Sequence, residues 1–183
     1  MRVRAATPDD AAALAAIYAP YVTGSHISFE TEAPGAGEMK KRIEAAGGAY
    51  PWLTAVDETG KALGYAHSAP FRARPAYRFA VETSVYVGRD AHGRGLGLLL
   101  YEPLLATLEA RGFTQAIAAI ALPNQASVRL HERLGFVHAG TYRQIGFKLG
   151  AWWDVGLWQR PLAPAAAAPA EPRAPGRAGP VGG

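Results

Sequence analysis

The sequence predicts a single folded domain of the α/β or α+β class. Short runs rich in β-branched and aromatic residues alternate along the chain with amphipathic stretches, and no internal repeat is visible. Hydrophobic residues make up 49% and charged residues 19% of the 183 residues, which is typical of a globular chain rather than a disordered one. A chain of this length has room for one domain with a core large enough to fold alone.

The N-terminal half is predicted to contain a strand at 3–6, a helix from Thr7 to about Tyr21, a second helix within 34–46 and a hairpin at 54–68. Thr7-Pro8-Asp9-Asp10 supports the first helix, because it supplies an N-cap, a proline at the first helical position and acids in the first turn. Gly47-Gly48 ends the second helix. Glu58-Thr59-Gly60 is the expected turn of the hairpin.

The C-terminal half is predicted to contain a strand at 78–87, a helix at 98–113, a buried strand at 115–122, a capped helix from Asn124 to Gly135 and a final hairpin at 141–160. Residues 161–183 are mostly Pro, Ala and Gly, which offer nothing to bury. We therefore expect a folded domain over 1–160 and a flexible tail over 161–183.

Composition excludes several classes of protein. The sequence contains no cysteine, so disulfides, zinc-thiolate sites and a catalytic thiol are excluded, and a cytoplasmic setting is expected. No run approaches the roughly 20 apolar residues of a membrane span, so no membrane partner is expected. The formal charge is +4, but Lys and Arg are scattered. This pattern favours a pocket for an anionic ligand over a nucleic-acid partner.

A glycine-rich turn, His92-Gly93-Arg94-Gly95-Leu96-Gly97, links the strand at 78–87 to the following helix. Such a turn presents unpaired backbone N–H groups beside the positive end of the helix dipole, where they can hold phosphate oxygens. Glycines also end strands and cap helices for structural reasons. The turn alone therefore indicates a phosphate site and a plain turn equally well.

Two common phosphate-binding motifs do not fit this turn. A Rossmann fingerprint needs a third glycine where Leu100 stands, and no acidic residue ends a next strand about 20 residues on. A P-loop needs Lys and Ser or Thr after Gly97, where Leu98 and Leu99 stand. Neither a nicotinamide cofactor nor ATP hydrolysis is expected.

Four segments together resemble the GNAT superfamily of acetyltransferases. They are VETSVYV at 81–87, HGRGLG at 92–97, ALPNQASVRLHERLGF at 121–136 and GFKLGAWWDVGLWQ at 146–159. Within the superfamily the match is closest to the phosphinothricin and methionine sulfoximine N-acetyltransferases. The resemblance extends from about Arg2 to Arg160 and includes the segments PWLTA and ARPAY.

The resemblance implies a central mixed, mostly antiparallel, twisted sheet with helices on both faces, and a site for acetyl-CoA. The family's loop pattern, Gln/Arg-x-x-Gly-x-Gly/Ala, maps onto His92, Gly95 and Gly97. His92 stands where this pattern has Gln or Arg. This departure affects one expected side-chain contact to the cofactor, but not the backbone cradle. The implied acetyl-CoA contacts are Val85, Tyr86 and Val87 beside the pantetheine arm, His92, Gly93, Arg94, Gly95, Leu96, Gly97 and Leu98 of the turn, and Asn124 and Ser127. For Arg94 the alternative is a solvated arginine at the helix start.

Two residues are candidates for the reactive groups. Acetyl transfer needs a neutral amine, and hence a base near it. Glu82 lies on the predicted strand at 78–87, where a carboxylate is costly unless used or paired, and the resemblance places the family's glutamate there. The alternative is an ion pair with an arginine. His131 follows Asn124 and Ser127 on one helix face and is implied as a proton donor or base, the alternative being an ordinary surface histidine.

The acceptor site is expected at Phe29, Glu30, Arg72, Arg74 and Tyr77, on segments that resemble the family's substrate-binding ones. An arginine fork can grip the carboxylate of an amino acid with two hydrogen bonds, although a solvated basic loop explains Arg72 and Arg74 equally well. Glu30 could orient the α-amino group. Trp153 replaces an expected histidine and either narrows the pocket or packs at a dimer edge.

The predicted reaction is direct transfer of the acetyl group of acetyl-CoA to the amine of a small amino-acid-like acceptor. No acyl-enzyme is expected, because cysteine and a Gly-x-Ser-x-Gly elbow are both absent. Histidine spacing predicts no metal site. An acetyl-CoA-binding protein without activity and a peptide N-acetyltransferase are the alternatives. The resemblance also implies a homodimer.

Overall fold

The computed structural model describes residues 1–164 and 169–173. Within these residues the chain forms seven strands and four α-helices. The strands are β1 (Arg2–Ala5), β2 (Trp52–Val56), β3 (Ala62–Pro70), β4 (Ala80–Val87), β5 (Gln115–Leu122), β6 (Val137–Lys148) and β7 (Ala151–Pro161). The helices are α1 (Ala11–Thr23), α2 (Ala36–Ala45), α3 (Leu96–Ala110) and α4 (Gln125–Arg133).

All seven strands form one mixed sheet in the order β1-β2-β3-β4-β5-β7-β6. Every neighbouring pair of described strands is antiparallel except β4 and β5, which run parallel. This arrangement confirms the predicted α/β class and the mostly antiparallel sheet. The parallel pair is a consequence of α3, which provides the crossover between them.

The helices cover both faces of the sheet because its strands alternate their side chains between the faces. On one face, the leucines of α3 and partly buried residues of α4 pack against Val81, Val85 and Val87 of β4. On the other face, α1 and α2 pack against Tyr65 and the partly buried Tyr86. Since Glu82, Ser84 and Tyr86 alternate with the valines, they point to the α1 and α2 side.

Several element boundaries differ from the predictions by a few residues, including the starts of α1, α3 and β6. The capping box of Thr7 and Asp10 is present, but it opens a 3-10 turn at Pro8–Asp10 that precedes α1. Helix α3 begins at Leu96, directly after the glycine turn. Strand β6 begins at Val137, earlier than predicted. The prediction missed these residues because register shifts near Gly140 and Gln144 interrupt the alternation by which a strand is recognised.

The predicted boundary at Arg160 and the flexible tail stay predictions. Strand β7 extends to Pro161, and Leu162 is buried against the core. In the described part of the tail, Glu171 forms an ion pair with Arg78, and the Arg173 N–H donates to the Arg111 carbonyl. Residues 165–168 and 174–183 of the predicted tail lie outside the described residues.

Candidate active site

A cleft opens in the sheet where β4 and β5 part. The two strands are paired only at Ala80 with Gln115, Val81 with Ala116 and Glu82 with Ile117. Beyond this point the described strands diverge, and a cavity of about 830 Å³ lies between them. At the vertex, the Thr83 hydroxyl donates to the Ile117 carbonyl at 3.3 Å. The edge of β4 that faces the cleft is therefore free to bind an extended ligand chain.

The cleft brings together most of the residues predicted to contact the cofactor. Its lining includes Val85, Tyr86, Val87, His92, Gly93, Gly95, Leu96, Gly97, Leu98, Asn124, Ser127 and His131. Arg94 is the exception, because its exposed guanidinium lies 3.4 Å from the sulfur of Met1. The sequence motifs thus converge on one cavity although they lie on three separate segments of the chain.

The glycine turn is built by backbone conformations that favour glycine. Gly93 and Gly95 both have φ of 75°, and Gly95 is the N-cap of α3. A Cβ added to Gly97 would lie 2.8 Å from a methyl carbon of Leu130. The first N–H groups of α3 have no partner within the helix and sit beside its positive end. This cradle fits a pyrophosphate group.

Alanine at Gly95 is expected to raise the KM for acetyl-CoA about 10-fold, the equivalent of roughly 1.4 kcal/mol of phosphate binding. A Cβ at φ of 75° strains the turn by about 1–2 kcal/mol and tilts its N–H groups. Steady-state kinetics would measure the change. Gly60→Ala is the matched control, since Gly60 has φ of 90° in the β2–β3 turn and also has open space around it. It should lower the melting temperature while leaving the KM unchanged; an equal rise in KM would contradict a local role.

His92 is directed back towards strand β4. Its Nε2 lies 3.0 Å from the Val87 carbonyl oxygen and 2.9 Å from the Tyr21 hydroxyl, which itself donates to the same carbonyl at 2.6 Å. Because a carbonyl only accepts, the contact to Val87 requires the Nε2–H tautomer. Sequence reasoning missed Tyr21, which α1 brings to the turn from 71 residues away along the chain.

The start of α4 forms the opposite wall of the cleft. The Asn124 side chain accepts from the Ser127 backbone N–H at 3.2 Å, so Asn124 is the N-cap of α4. One turn later, the Nδ1–H of His131 donates to the Ser127 carbonyl at 2.8 Å. The predicted helix face is therefore present, and its residues are linked to one another.

His131 is buried and paired with a tyrosine that the sequence did not indicate. Since Nδ1 carries the hydrogen, Nε2 accepts, and the Tyr101 hydroxyl donates to it at 2.8 Å. The Tyr101 oxygen also lies 3.3 Å from the Thr83 hydroxyl at the cleft vertex. Burial lowers the pKa of His131 and raises that of Tyr101. Both side chains are therefore neutral at pH 7, and the hydrogen between them belongs to Tyr101.

Glu82 lies at the vertex, one residue before β4 leaves β5. Burial raises the pKa of its carboxyl group, and the positive charge of Arg72 opposes this shift. Among the described residues its carboxylate has neither a hydrogen-bond partner nor an ion pair. A half-buried carboxylate without a partner is poised to accept a proton.

A second cavity of about 440 Å³, which we call the aromatic pocket, lies between α2 and the sheet. It shares Ser84 and Tyr86 with the cleft, so the two cavities meet at β4. Its lining consists of Tyr18, Glu30, Met39, Arg42, Ala45, Ala46, Tyr50, Trp52, Tyr65, His67, Ser68, Ala69, Pro70, Ser84 and Tyr86. An acceptor in this pocket would approach β4 from the face opposite α3.

Only one of the predicted acceptor residues, Glu30, lines the aromatic pocket. Its carboxylate accepts two hydrogen bonds from Arg42, at 2.8 and 3.0 Å, and one from the Tyr18 hydroxyl at 2.9 Å. These bonds lower the pKa of Glu30, and the bonds from Arg42 have the largest effect. Sequence reasoning missed Arg42, because nothing in the amphipathic pattern of α2 distinguishes it from a surface arginine.

The other predicted acceptor residues lie outside the pocket lining. Arg72 lies over the Phe71 ring with its guanidinium carbon 5.0 Å from the centroid, and Tyr77 contacts the same ring edge-on. Arg72 and Arg74 are exposed, and the described residues offer neither side chain a hydrogen-bond partner. The loop that follows Pro70 at the pocket's edge thus carries two unpaired guanidinium groups.

Phe29 and Trp153 lie near the β6–β7 turn. The Phe29 ring packs directly against Gly146, leaving no room for a Cβ there. The Trp153 ring stacks on His26 with centroids 4.1 Å apart, and its N–H donates to the Lys148 carbonyl at 2.8 Å. Trp153 lines neither cavity.

The described part of the chain contains neither a cluster of metal ligands nor a membrane-spanning helix. No group of three or more His, Asp or Glu side chains is placed to hold a metal ion there. No helix there is long and apolar enough to cross a bilayer.

Comparison with known proteins gives consistent matches over most of the chain. The family described as acetyltransferase (GNAT) domain matches residues 3–157. A phosphinothricin N-acetyltransferase of Streptomyces coelicolor is 44% identical over 165 residues, covering 88% of this chain and 96% of the relative. An L-methionine sulfoximine/L-methionine sulfone acetyltransferase of Pseudomonas paraeruginosa is 42% identical over 120 residues, covering 66% and 70%. The crystal structure of a GNAT superfamily phosphinothricin acetyltransferase from Sinorhizobium meliloti in complex with AcCoA has a TM-score of 0.87 at 37% identity, covering 93% and 92%.

Proposed function

This chain belongs to the acetyltransferase (GNAT) family, and from that premise we propose that it acetylates the amino group of a small amino-acid-like acceptor, using acetyl-CoA. The proposed acceptors are of the phosphinothricin, methionine sulfoximine or methionine sulfone type. The observation that carries the proposal is the cleft between β4 and β5, which ends in the glycine turn on one side and meets the aromatic pocket at Ser84 and Tyr86 on the other.

The cleft residues divide the binding of acetyl-CoA between them. The N–H groups of the glycine turn would hold the pyrophosphate. The free edge of β4 at Val85–Val87 would pair with the pantetheine arm. Asn124 and Ser127 face that arm from α4. When bound, acetyl-CoA supplies an acetyl group activated as a thioester.

The chain's own groups would then act on the acceptor. Glu82 takes a proton from the amine, directly or through a water molecule, because an ammonium ion has no lone pair for attack. Backbone N–H groups near the end of the Val85–Val87 segment stabilise negative charge that develops on the carbonyl oxygen. As the new C–N bond forms and the thioester C–S bond breaks, the Tyr101 hydroxyl turns its single hydrogen from His131 Nε2 to the leaving sulfur, which then takes up the proton that the acceptor nitrogen loses. Arg72 and Arg74 bind the acceptor's carboxylate at the pocket's edge.

An acceptor panel tests the proposal. Thiol release from acetyl-CoA would be measured with methionine sulfoximine, methionine sulfone, phosphinothricin, the common amino acids and a peptide. Turnover of amino-acid-like acceptors supports the proposal. Turnover of phosphinothricin in particular would also support a role in herbicide resistance. Turnover of the peptide alone, or acetyl-CoA binding without any product, would point instead to a peptide N-acetyltransferase or a binding protein. A cytoplasmic location remains a prediction of the cysteine-free sequence.

We also propose that the protein is a homodimer joined through the β6–β7 hairpin. The hairpin and the start of β6 expose large apolar side chains that are 46–64% accessible, namely Val137, Tyr142, Ile145, Phe147, Leu149 and Trp152. The Phe147 and Trp152 rings are in contact, with centroids 5.3 Å apart, and large apolar side chains exposed together in this way mark an interface more often than a free surface. Because Phe29 packs on Gly146 of the same hairpin, such an interface would lie close to the acceptor site.

Aspartate at Ile145 is expected to convert the dimer into a monomer, since it places a charge in the centre of that patch. Light scattering after size-exclusion chromatography should then give the 19.3 kDa of one chain instead of twice this mass. Leu99→Asp is the control, because Leu99 is 39% accessible but lies on α3, away from the hairpin. A wild-type protein that elutes as a monomer would refute the proposal.

A further inference from the structure

Strands β3 and β4 form the floor of the aromatic pocket, and on their shared face His67 lines the pocket while the reactive carboxylate of Glu82 lies outside its lining. In the register of β3 and β4, His67 lies opposite Ser84, and Glu82 lies opposite Ala69. His67 and Glu82 are therefore diagonal neighbours, about 7–8 Å apart between their Cα atoms. An acceptor whose amine reaches Glu82 would extend its side chain along this floor towards His67.

The walls of the pocket suit an unbranched, polarisable side chain. The Trp52 ring stacks on His67 with centroids 4.3 Å apart, and on Tyr65 at 5.7 Å. Met39 and Tyr50 add further apolar surface to the lining. Sulfur atoms make favourable contacts with aromatic rings, and a chain without branches can lie flat between them.

The pocket offers no free charge to a ligand. The charged residues in its described lining are Glu30 and Arg42, and they are bonded to each other through both oxygens of the carboxylate. The Arg42 Nε donates in addition to Glu38. An anionic group placed deep in this pocket would lose its hydration without gaining a free cation.

Two side chains of the pocket lining, Ser68 and His67, have a buried polar atom without a hydrogen-bond partner among the described residues. In Ser68 this atom is the hydroxyl oxygen, and in His67 it is Nδ1, while the His67 ring as a whole is only half-buried. Burial lowers the pKa of its imidazole to about 4, so the ring is neutral at pH 7. A neutral imidazole carries one N–H and one lone pair and can therefore bond a sulfone oxygen or a sulfoximine N–H. Because Nδ1 is enclosed by the protein, Nε2 is the ring nitrogen that a ligand in the pocket can bond.

We propose that His67 binds the tip of the acceptor's side chain and so makes the enzyme select amino acids with a neutral hydrogen-bonding tip, such as a sulfone or sulfoximine, over those with an anionic one. This inference rests on the proposed function, because it assigns the aromatic pocket to the acceptor. It identifies His67 as the residue that determines specificity.

The test compares methionine sulfone, methionine and phosphinothricin as acceptors for the wild type, His67→Phe and His67→Gln. Wild-type kcat/KM should be higher for the sulfone than for phosphinothricin. His67→Phe should lower kcat/KM for the sulfone about 5- to 20-fold, the equivalent of one lost hydrogen bond, while methionine changes little. His67→Gln keeps a neutral donor and acceptor and should retain most of the preference for the sulfone.

His138→Phe is the matched control, because His138 is exposed on β6 and lines neither cavity. Melting temperatures show whether each variant folds, and the KM for acetyl-CoA should not move. Three results would overturn the inference while the proposed function stands. The first is an equal fall in kcat/KM for the sulfone and for methionine in both His67 variants, and the second is an unchanged ratio of these two values in His67→Phe. The third is a wild-type kcat/KM that is higher for phosphinothricin than for the sulfone. If the wild type acetylates none of the three, both are overturned.

Discussion

Glutamine at Glu82 is expected to lower kcat at pH 7 by about 10²- to 10⁴-fold, the usual contribution of a general base. The change removes the only carboxylate placed at the vertex among the described residues, and it conserves shape and hydrogen-bonding capacity. The KM for acetyl-CoA should stay within a factor of about two, since Glu82 lies outside the lining of the cleft. Initial rates at saturating acceptor would measure the loss.

The pH profile gives this prediction a second, independent measurement. The carboxyl group must be deprotonated to act as a base, and burial raises its pKa above the ordinary value of 4.5. Wild-type kcat/KM should therefore fall as the pH drops through a midpoint above 4.5, and this acidic limb should disappear in the glutamine variant. Glu102→Gln, on the exposed side of α3, is the control and should leave both rate and profile unchanged. If the acidic limb persists in Glu82→Gln, the group whose protonation causes it is not Glu82.

Phenylalanine at Tyr101 is expected to lower kcat by about 10- to 100-fold, because one hydrogen bond to a charged sulfur is worth roughly 1.5–3 kcal/mol. His131 by itself does not supply this bond, since its Nδ1 donates to the Ser127 carbonyl and its Nε2 accepts from Tyr101. Single-turnover measurements would separate the chemical step from release of the product.

A purely structural role for Tyr101 would have a different signature. Loss of packing or of cofactor binding would lower the melting temperature or raise the KM for acetyl-CoA without a specific effect on kcat. A thioester with a more acidic leaving thiol should restore part of the rate in Tyr101→Phe, since that leaving group needs less stabilisation. The rate of Tyr142→Phe, which removes a hydroxyl from an exposed ring on β6, should equal that of the wild type. Absence of rescue would argue against the proposed bond to sulfur.

Much of the fold could be predicted because it depends on local patterns. Runs of β-branched, aromatic and other apolar residues identified β2, β3, β4 and β5, and the cap at Asn124 marked the start of α4, as the structure confirms. The cap at Thr7 is present too, but it opens the 3-10 turn before α1. The matches to acetyltransferases confirm the resemblance that the glycine turn and its flanking segments suggested. The start of β6 was missed, because bulges break the alternation on which strand prediction depends.

The candidate site was predicted less completely, for a physical reason. The backbone cradle depends on glycine conformations within a few residues, and these are visible in the sequence. The side chains that complete the site come from distant segments: Tyr21 reaches His92, and Tyr101 reaches His131. Periodicity predicts which face of an element a residue occupies, but not which residue of another element it meets.

The sequence by itself determined the order of the elements, the glycine turn before α3 and the presence of a carboxylate on β4, because each of these follows from local backbone geometry or residue type. Only the tertiary structure decided how the polar groups pair. Packing of α2 on the sheet joins Glu30 to Arg42, and packing of α3 against α4 makes Tyr101 the donor to His131. Among the described residues this packing gives the Glu82 carboxylate no hydrogen-bond partner, although the charge of Arg72 acts on it, and a polar group without a protein partner is one that a substrate can bind.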